Sequence, residues 1–320
     1  MDKLNRRKFI GKGLATTGAV ATGALAVRDA HGAAAPTVEP GAKVEIPTTA
    51  GRKPTKPTDK VTLGKSGIQV SLVGIGTGSR GGGHQSNQTR LGDEGFKNLM
   101  RHAFDNGITF FDLADQYGSN PYFGRAIKGV PRDQYVIQTK VISRKPEKAK
   151  EDIDRFLKEL ETDYIDSLII HVVTEPDWTT KFRGVMDVFE EAKQAGKIRA
   201  HGVTCHSYVA LEAAYASDWV QINQVRWNQK RSHMDNDVET VRELFTKMRA
   251  KGQGMIGMKV LGEGSLVRGA TALTPEECFR FQIESGVVDA FVVGMEKTEQ
   301  VDQLLKGTQL ALNEVGYRLA

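Results

Sequence analysis

The chain has 320 residues, of which 39% are hydrophobic and 26% charged, as in ordinary globular proteins. Its formal net charge is +5, but residues 1–60 hold 11 Lys and Arg against 5 Asp and Glu, and residues 61–320 hold 33 against 34. The near-neutral main part excludes an extended basic surface for nucleic acid, and two distant cysteines exclude a disulfide framework.

The first 35 residues have the pattern of an export signal. A basic stretch contains Arg6-Arg7, residues 11–27 form a weakly apolar run, and small residues follow at 30–36. The segment 5–10 is similar to a twin-arginine motif, although a basic tail or a short membrane anchor is the alternative. We expect residues 1–35 to be a twin-arginine signal peptide that engages the export machinery. The mature protein would then be periplasmic or otherwise exported, or tethered to the membrane if uncleaved.

Residues 36–60 are rich in Pro, Lys and Thr and predict a linker, and residues 61–320 predict one domain. This domain begins with a hairpin at 61–63 and 68–70, after which short apolar runs alternate with amphipathic stretches. The predicted strands are 72–75, 109–111, 135–139, 164–170, 200–203, 220–222, 255–258 and 290–293. The predicted helices include 96–104, 149–160, 185–195, 238–250, 275–285 and 299–305.

Eight strands in alternation with helices predict an α/β protein, a (β/α)8 TIM barrel with a short N-terminal hairpin. An open doubly wound sheet is the competing fold. Its dinucleotide-binding pattern requires a helix directly after a glycine-rich turn, whereas residues 74–78 are followed by a second run of glycines and a polar loop.

Four polar residues lie at or just after the ends of three successive predicted strands. Asp112 and Tyr117 follow the second barrel strand, Lys140 closes the third, and His171 closes the fourth. Each alone has an ordinary structural explanation: a helix cap, a packing tyrosine, a solvated charge or a core histidine. Because all strands of a parallel barrel end at one rim, we expect these four side chains to be neighbours in a proton-transfer site.

This set of residues suits carbonyl reduction. A carbonyl accepts hydride poorly unless its oxygen is protonated or polarised as charge develops. We expect the Lys140 ammonium to lower the pKa of Tyr117, Asp112 to hold Lys140 in place, and His171 to donate a hydrogen bond to the carbonyl oxygen. No side chain supplies hydride, so the site predicts a nicotinamide cofactor.

The chain resembles the aldo-keto reductases over residues 61–305. The segments that carry the resemblance are 63–78, the Phe-Phe-Asp-Leu-Ala-Asp-Gln-Tyr-Gly run at 110–118, Thr139-Lys140 and Leu168-Ile-Ile-His171. The resemblance implies an NAD(P)-dependent oxidoreductase acting on an aldehyde, ketone or sugar. It implies Tyr117 as the general acid, Lys140 and Asp112 as its tuning pair, and His171 as the residue that orients the substrate.

The resemblance also implies where the cofactor binds. Thr77 is expected near the nicotinamide ribose, and Thr204, Cys205 and Gln224 at the carboxamide, with Gln221 or Asn223 as alternatives to Gln224. Relatives often place an aromatic residue on the nicotinamide, where Met258 or Lys259 stands here. Leu261, Gly262 and Gly264 are expected along the pyrophosphate.

The adenine end departs most from the family pattern. Gly294, Met295 and Gln300 occupy the positions at which relatives often carry basic and hydroxyl residues for the 2′-phosphate of NADP. Lys297 is the candidate to substitute for them, and Glu296 would repel a phosphate. NADP is the cofactor expected from the family, and NAD is the alternative.

Substrate contacts are expected from residues in predicted rim loops. The candidates are Arg80, Tyr122, Trp178 and Trp227. A monomer is expected, and no metal is expected, since the spacing of His201, His206 and His233 fits no metal-binding pattern. The alternatives in function are a non-catalytic exported binding protein on a TIM barrel and an isomerase or lyase on the same fold.

Overall fold

The computed structural model describes residues 53–318. The predicted signal peptide and most of the predicted linker therefore lie outside the described residues. Within residues 53–318 no helix is long and apolar enough to cross a membrane.

The described part of the chain begins with a β-hairpin. Strands β1 (Lys60–Thr62) and β2 (Gln69–Ser71) pair in antiparallel register. Their connecting turn carries Leu63 and Ile68, which are buried in one cluster with Val70 and side chains of the barrel interior. The hairpin thus packs its apolar face onto the barrel. The predicted hairpin at 61–63 and 68–70 is confirmed.

Eight parallel strands close into a barrel with the order β10-β3-β4-β5-β6-β7-β8-β9. This confirms the predicted (β/α)8 fold and overturns the open sheet. The strands are β3 (Val73–Gly76), β4 (Phe110–Asp112), β5 (Val136–Val141), β6 (Ile165–Val173), β7 (Ile198–Cys205), β8 (Ile222–Arg226), β9 (Gly254–Met258) and β10 (Ala290–Gly294).

Alternate residues of each strand point into the barrel or outward to the helices, because the side-chain period of a strand is two. The buried hydrophobic side chains form two clusters, an interior cluster enclosed by the strands and an outer cluster between the strands and the helices. In β5, Val136 belongs to the interior cluster and Ile137 to the outer cluster. In β4, Phe110 lies inside and Phe111 outside. The same parity carries polar residues to the interior near the carboxyl ends of the strands, and this positions the site.

Helices cover the outside of the barrel. The described helices are α1 (Gly92–Asp105), α2 (Ser119–Ile127), α3 (Pro146–Glu159), α4 (Trp178–Lys181), α5 (Arg183–Gln194), α6 (Tyr208–Ala216), α7 (Val238–Lys251), α8 (Pro275–Ser285) and α9 (Thr298–Arg318). The predicted boundaries of α8 are confirmed, since Thr274 and Glu277 form a capping box, Pro275 begins the helix and Gly286 ends it with a φ of 63°.

The helix at the end of the chain is longer than predicted. We expected a helix at 299–305, but α9 has 21 residues and continues to Arg318. Its second half contains Gly316 and several polar residues, which weakened the apolar period in the sequence.

Candidate active site

The four predicted residues converge at the carboxyl end of the barrel. Asp112 ends β4, and Lys140 and His171 lie on β5 and β6 at inward-facing positions. Tyr117 ends a short 3-10 turn, Asp115–Tyr117, that directly follows β4. The structure therefore brings together the acid, the phenol, the amine and the imidazole as the strand pattern predicted.

Asp112 and Lys140 form a buried ion pair. The Lys140 side chain is 1% exposed, and its Nζ donates to Asp112 Oδ1 at 2.5 Å and to the Leu113 carbonyl at 2.7 Å. Asp112 also accepts from Gln138 Nε2 and from Gln224 Nε2, both at 2.9 Å. Three donors thus hold one carboxylate, which fixes the ammonium beneath the phenol.

Tyr117 lies between this ion pair and His171. Its hydroxyl is 3.3 Å from His171 Nε2, and its ring centroid is 5.2 Å from Lys140 Nζ. A Cβ atom on Gly78 or Gly81 would come within 2.4 Å of the Tyr117 ring, so these two positions leave room for the phenol only because they are glycines.

Burial dominates the protonation of these groups. It raises the pKa of Tyr117, and the charges of Asp112 and Glu263 raise it further. Burial also lowers the pKa of Lys140, which Asp112 partly offsets, and it lowers the pKa of His171 well below 6.5. The expected lowering of the Tyr117 pKa by Lys140 does not appear, because burial, followed by the charges of Asp112 and Glu263, raises the pKa instead. Near neutral pH the phenol keeps its proton and the imidazole is uncharged.

A cleft of about 410 Å³ opens beside Tyr117. It runs from the loop after β3, past β9 and its following loop, to the start of α9. Among the predicted residues, the following line it together with Asp112 and Tyr117: Arg80, Met258, Lys259, Leu261, Gly264, Gly294 and Gln300.

Three further residues that were predicted to bind the cofactor are buried inside the barrel. Thr77 lies beside Asp112, Thr204 lies on β7 and Gln224 lies on β8. Thr77 Oγ1 is 2.9 Å from the Asp112 carbonyl oxygen and from Ser119 Oγ. Thr204 Oγ1 and Gln224 Oε1 are buried without a hydrogen-bond partner among the described residues. A hydroxyl and an amide oxygen that lack partners fit a ligand carboxamide, and the cations of Arg80, Lys259 and Arg268 in the cleft fit a pyrophosphate. The residues present therefore fit a nicotinamide dinucleotide.

The family itself follows from comparison with known proteins. The sequence model of the Aldo/keto reductase family matches residues 72–279. The chain belongs to the aldo/keto reductase family.

Known relatives agree with this assignment. The chain is 29% identical over 216 residues to L-galactose dehydrogenase of Arabidopsis thaliana, covering 64% of this chain and 66% of that one. It is 30% identical over 217 residues to NADH-specific methylglyoxal reductase of Escherichia coli, covering 60% of this chain and 64% of that one. The chain thus spans less than two thirds of the length of either relative.

Solved structures show the same fold. An aldo-keto reductase structure from Pseudomonas aeruginosa superimposes with a TM-score of 0.65 at 21% identity, covering 80% of this chain and 97% of that one. At this level of identity the likeness supports the barrel architecture alone.

Several predicted site residues of this aldo-keto reductase do not lie in the cleft. Trp178 and Trp227 are fully buried in the outer hydrophobic cluster, where their Nε1 atoms donate to the Ala210 carbonyl and to Ser285 Oγ. Tyr122 packs on Phe96 between α1 and α2. The prediction of these three as substrate contacts is therefore wrong, because apolar packing takes their rings away from the rim.

Because side chains along a strand point alternately inward and outward, two other residues predicted near the nicotinamide carboxamide lie on the outer face of the barrel. Cys205 is 1% exposed and belongs to the outer cluster, since it points outward when Thr204 points inward. Asn223 donates to Gln253 outside the barrel, which leaves Gln224 as the inward amide of β8. Among the cofactor candidates of the loops, Gly262 and Lys297 do not line the cleft, and Lys297 is exposed.

Two contacts of the site were not predicted: the pairing of Lys259 with Glu263, and the hydrogen bond from Gln138 to Asp112. Lys259 forms an ion pair with Glu263 in the cleft wall, and His233 Nε2 is 3.8 Å from the same carboxylate. Both Lys259 and Glu263 have positive φ, which sequence periodicity does not show. In addition, Gln138 reaches Asp112 from β5; its signal was a lone amide at an inward position of an apolar strand.

The loop after β3 is tied to the start of α9. Asn87 Nδ2 donates to Glu296 Oε1 at 2.7 Å, and Gln88 Nε2 donates to the Met295 carbonyl and to Ser79 Oγ, both at 2.9 Å. Gly78 of the same loop abuts the Tyr117 ring. One loop therefore contacts both Tyr117 and the far end of the cleft.

Buried histidines predict that this aldo-keto reductase loses stability in mild acid. Burial lowers the pKa of His201 and of His206 to about 4, and it lowers that of His171 as well. Since the folded protein then binds fewer protons than the unfolded chain, stability is full above about pH 6.5 and is lost as the pH falls towards about 4. Between these pH values each histidine lowers the free energy of unfolding by about 1 kcal/mol for each unit by which the pH falls.

Urea denaturation between pH 4 and pH 8 measures this slope. His201→Gln is expected to flatten it by one histidine's share. An unchanged slope in His201→Gln would contradict the prediction.

Proposed function

We propose that this chain is a nicotinamide-dependent oxidoreductase that interconverts a carbonyl group and an alcohol, with Tyr117 as the general acid and base. The observation that carries the proposal is the position of the Tyr117 hydroxyl, 3.3 Å from His171 Nε2 and beside the Asp112–Lys140 pair, at the wall of the cleft. A binding protein has no need for a buried ion pair beneath a phenol at that place.

The chemistry assigns one task to each side chain. A reduced nicotinamide, when bound, supplies the hydride to the carbonyl carbon. Tyr117 gives its proton to the carbonyl oxygen as negative charge develops there, and the raised pKa of Tyr117 keeps that proton available. Neutral His171 holds the oxygen by a hydrogen bond, and the Lys140 ammonium stabilises the phenolate that remains.

NADP is the first candidate for the cofactor, as the family resemblance implies. A specific observation favours NAD as the second: the Glu296 carboxylate lines the cleft near Gln300 and is bonded to Asn87. A carboxylate repels a 2′-phosphate and accepts hydrogen bonds from a free ribose hydroxyl. The relative named as NADH-specific methylglyoxal reductase agrees with this second candidate.

Small carbonyl compounds and sugars are the proposed substrates. The named relatives act on methylglyoxal, a small dicarbonyl, and on L-galactose, a sugar. The cations Arg80 and Arg268 in the cleft are available for polar groups of substrate or cofactor.

Export is proposed from the sequence motif alone. The twin-arginine pattern at residues 5–10 supports a periplasmic or otherwise exported enzyme that is loaded with cofactor before export. Cell fractionation tests this, with Arg6→Lys/Arg7→Lys expected to retain the protein inside. Unchanged export of that variant would contradict the twin-arginine route.

Titration of the purified protein with NADPH and with NADH, followed by nucleotide fluorescence, tests the function first. We expect saturable binding of one nucleotide, followed by turnover with methylglyoxal or 4-nitrobenzaldehyde. Glu296→Gln is expected to improve NADPH binding relative to NADH. Binding without turnover of any carbonyl or sugar would favour the non-catalytic binding protein, and absence of binding to cofactor-free protein would overturn the reductase proposal.

A further inference from the structure

The strand that carries His171 contains a β-bulge at its end. The pairing of β6 with β7 shifts register between Ile170 and Val173. Within the shift, Val172 has a φ of 56°, in the left-handed region. A β-branched residue is strongly disfavoured there, and such outliers persist only when the surroundings hold them.

Packing does not explain this conformation of Val172. The side chain is half-buried and belongs to neither hydrophobic cluster of the described residues. What holds the backbone is hydrogen bonding on both sides of the bulge. The His206 amide donates to the Val173 carbonyl at 2.6 Å, and one arginine side chain reaches the two carbonyls that precede it.

That side chain is Arg144, from the loop between β5 and α3. Its Nη2 donates to the His171 carbonyl at 2.6 Å and to the Val172 carbonyl at 3.0 Å, and its Nη1 donates to the Ile142 carbonyl at 3.0 Å. Its guanidinium carbon lies 4.6 Å from the centroid of the Phe182 ring. A planar guanidinium with several fixed donors is suited to hold two consecutive carbonyls of a bulge.

We propose that Arg144 is a positioning residue that holds the β6 bulge and thereby aims His171 at the Tyr117 hydroxyl. Bulges change the direction of side chains at the ends of barrel strands. Without the guanidinium, Val172 would relax to the extended backbone that its side chain prefers. The His171 ring would then move from its 3.3 Å contact with Tyr117. The effect on catalysis rests on the function proposed above, whereas the effect on the His171 ring does not.

Arg144→Met tests the proposal, with Arg132→Met as the matched control. Arg132 spans the same two strands at their opposite end, where it donates to the Tyr135 and Tyr164 carbonyls at 2.8 and 3.0 Å. We expect Arg144→Met to lower kcat for 4-nitrobenzaldehyde about 100-fold, the scale of a displacement of about 1 Å, with nucleotide affinity unchanged. Arg132→Met is expected to lower the Tm by at least as much but to leave kcat within about twofold, because it disturbs only the remote end.

A second substitution that relieves the backbone strain at Val172 is expected to restore part of what Arg144→Met loses. Glycine adopts positive φ without a steric penalty, so Val172→Gly stabilises the bulge independently of the arginine. In the Val172→Gly background, Arg144→Met is expected to cost less than tenfold in kcat and less in Tm than it does alone. Equal losses in the two backgrounds would overturn the proposed role of Arg144 in holding the bulge.

The His171 ring gives a readout that does not need turnover. Its Cε1–Hε1 NMR signal, assigned by its loss in His171→Gln, is expected to shift in Arg144→Met, to stay in place in Arg132→Met, and to return in the double variant with Val172→Gly. If the protein has no reductase activity, these shifts still support the positioning role. If activity falls in Arg144→Met while the His171 signal stays in place, the positioning role is wrong.

Discussion

Tyr117→Phe is expected to lower kcat/KM for carbonyl reduction by about 10²- to 10⁴-fold, the usual contribution of a positioned general acid. The substitution removes only the hydroxyl, so the ring keeps its place beside Gly78 and Gly81 and the cleft keeps its shape. Nucleotide affinity is therefore expected to be unchanged. Steady-state kinetics with methylglyoxal and fluorescence titration of the nucleotide measure the two quantities separately.

Tyr135→Phe is the matched control for this loss. Tyr135 is also a buried tyrosine, but it packs against Phe123 and Arg132 away from the cleft. It is expected to keep wild-type kinetics. A Tyr117→Phe protein that retained more than a tenth of the wild-type kcat would show that another group gives the proton.

Asp112→Asn is expected to reduce the free energy of unfolding by about 3–5 kcal/mol, as when one partner of a buried ion pair is removed. The loss arises because Lys140, 1% exposed, would keep only neutral partners such as the Leu113 carbonyl. The exposed pair Arg183–Asp187 provides the comparison, since Asp187→Asn is expected to cost at most about 0.5 kcal/mol. Chemical denaturation measures both changes.

The double variant Asp112→Asn/Lys140→Met separates stability from catalysis. Removal of both charges is expected to restore much of the stability, because no uncompensated ion remains in the interior. Activity is expected to stay low, since the phenolate would lack the ammonium that stabilises it. The interpretation of the pair would be wrong if the double variant were no more stable than Asp112→Asn or if it regained wild-type activity.

The fold could be predicted because each strand carries a short apolar run and each major helix an apolar stripe. Every strand end of the barrel lies within two residues of its predicted position, except that β6 and β8 continue three and four residues further. The helices α2, α4 and α6 are not among the predicted ones. The sequence of α2 contains Pro121 and Gly124, which are typical of loops. The other two have no clear helical period. Helix α4 has only four residues, and α6 is apolar almost all round.

The residues of the site could be predicted only where a regular strand makes its side chains alternate between the interior and the outside of the barrel. The alternation of side chains places Asp112, Lys140, His171 and Gln224 inside one rim, and the same alternation directs Cys205 outward. The bulge at Val172 and the positive φ of Lys259 and Glu263 break the period, so periodicity gives no information about them. The sequence pattern places Trp178 and Trp227 in rim loops, but both are buried in the core because burial of their large apolar rings is favourable.

The loop at residues 78–88 has a consequence for how ligands act on each other. It touches the Tyr117 ring through Gly78 and holds the Met295–Glu296 segment through Gln88 and Asn87. If a nucleotide that binds beside Met295 and Glu296, as proposed above, repositions this loop, it also moves the backbone that contacts the Tyr117 ring. Thermodynamic linkage then requires the reverse effect with the same factor: a carbonyl analogue that binds at Tyr117 changes the affinity for an adenine nucleotide lacking nicotinamide, although the two molecules never touch.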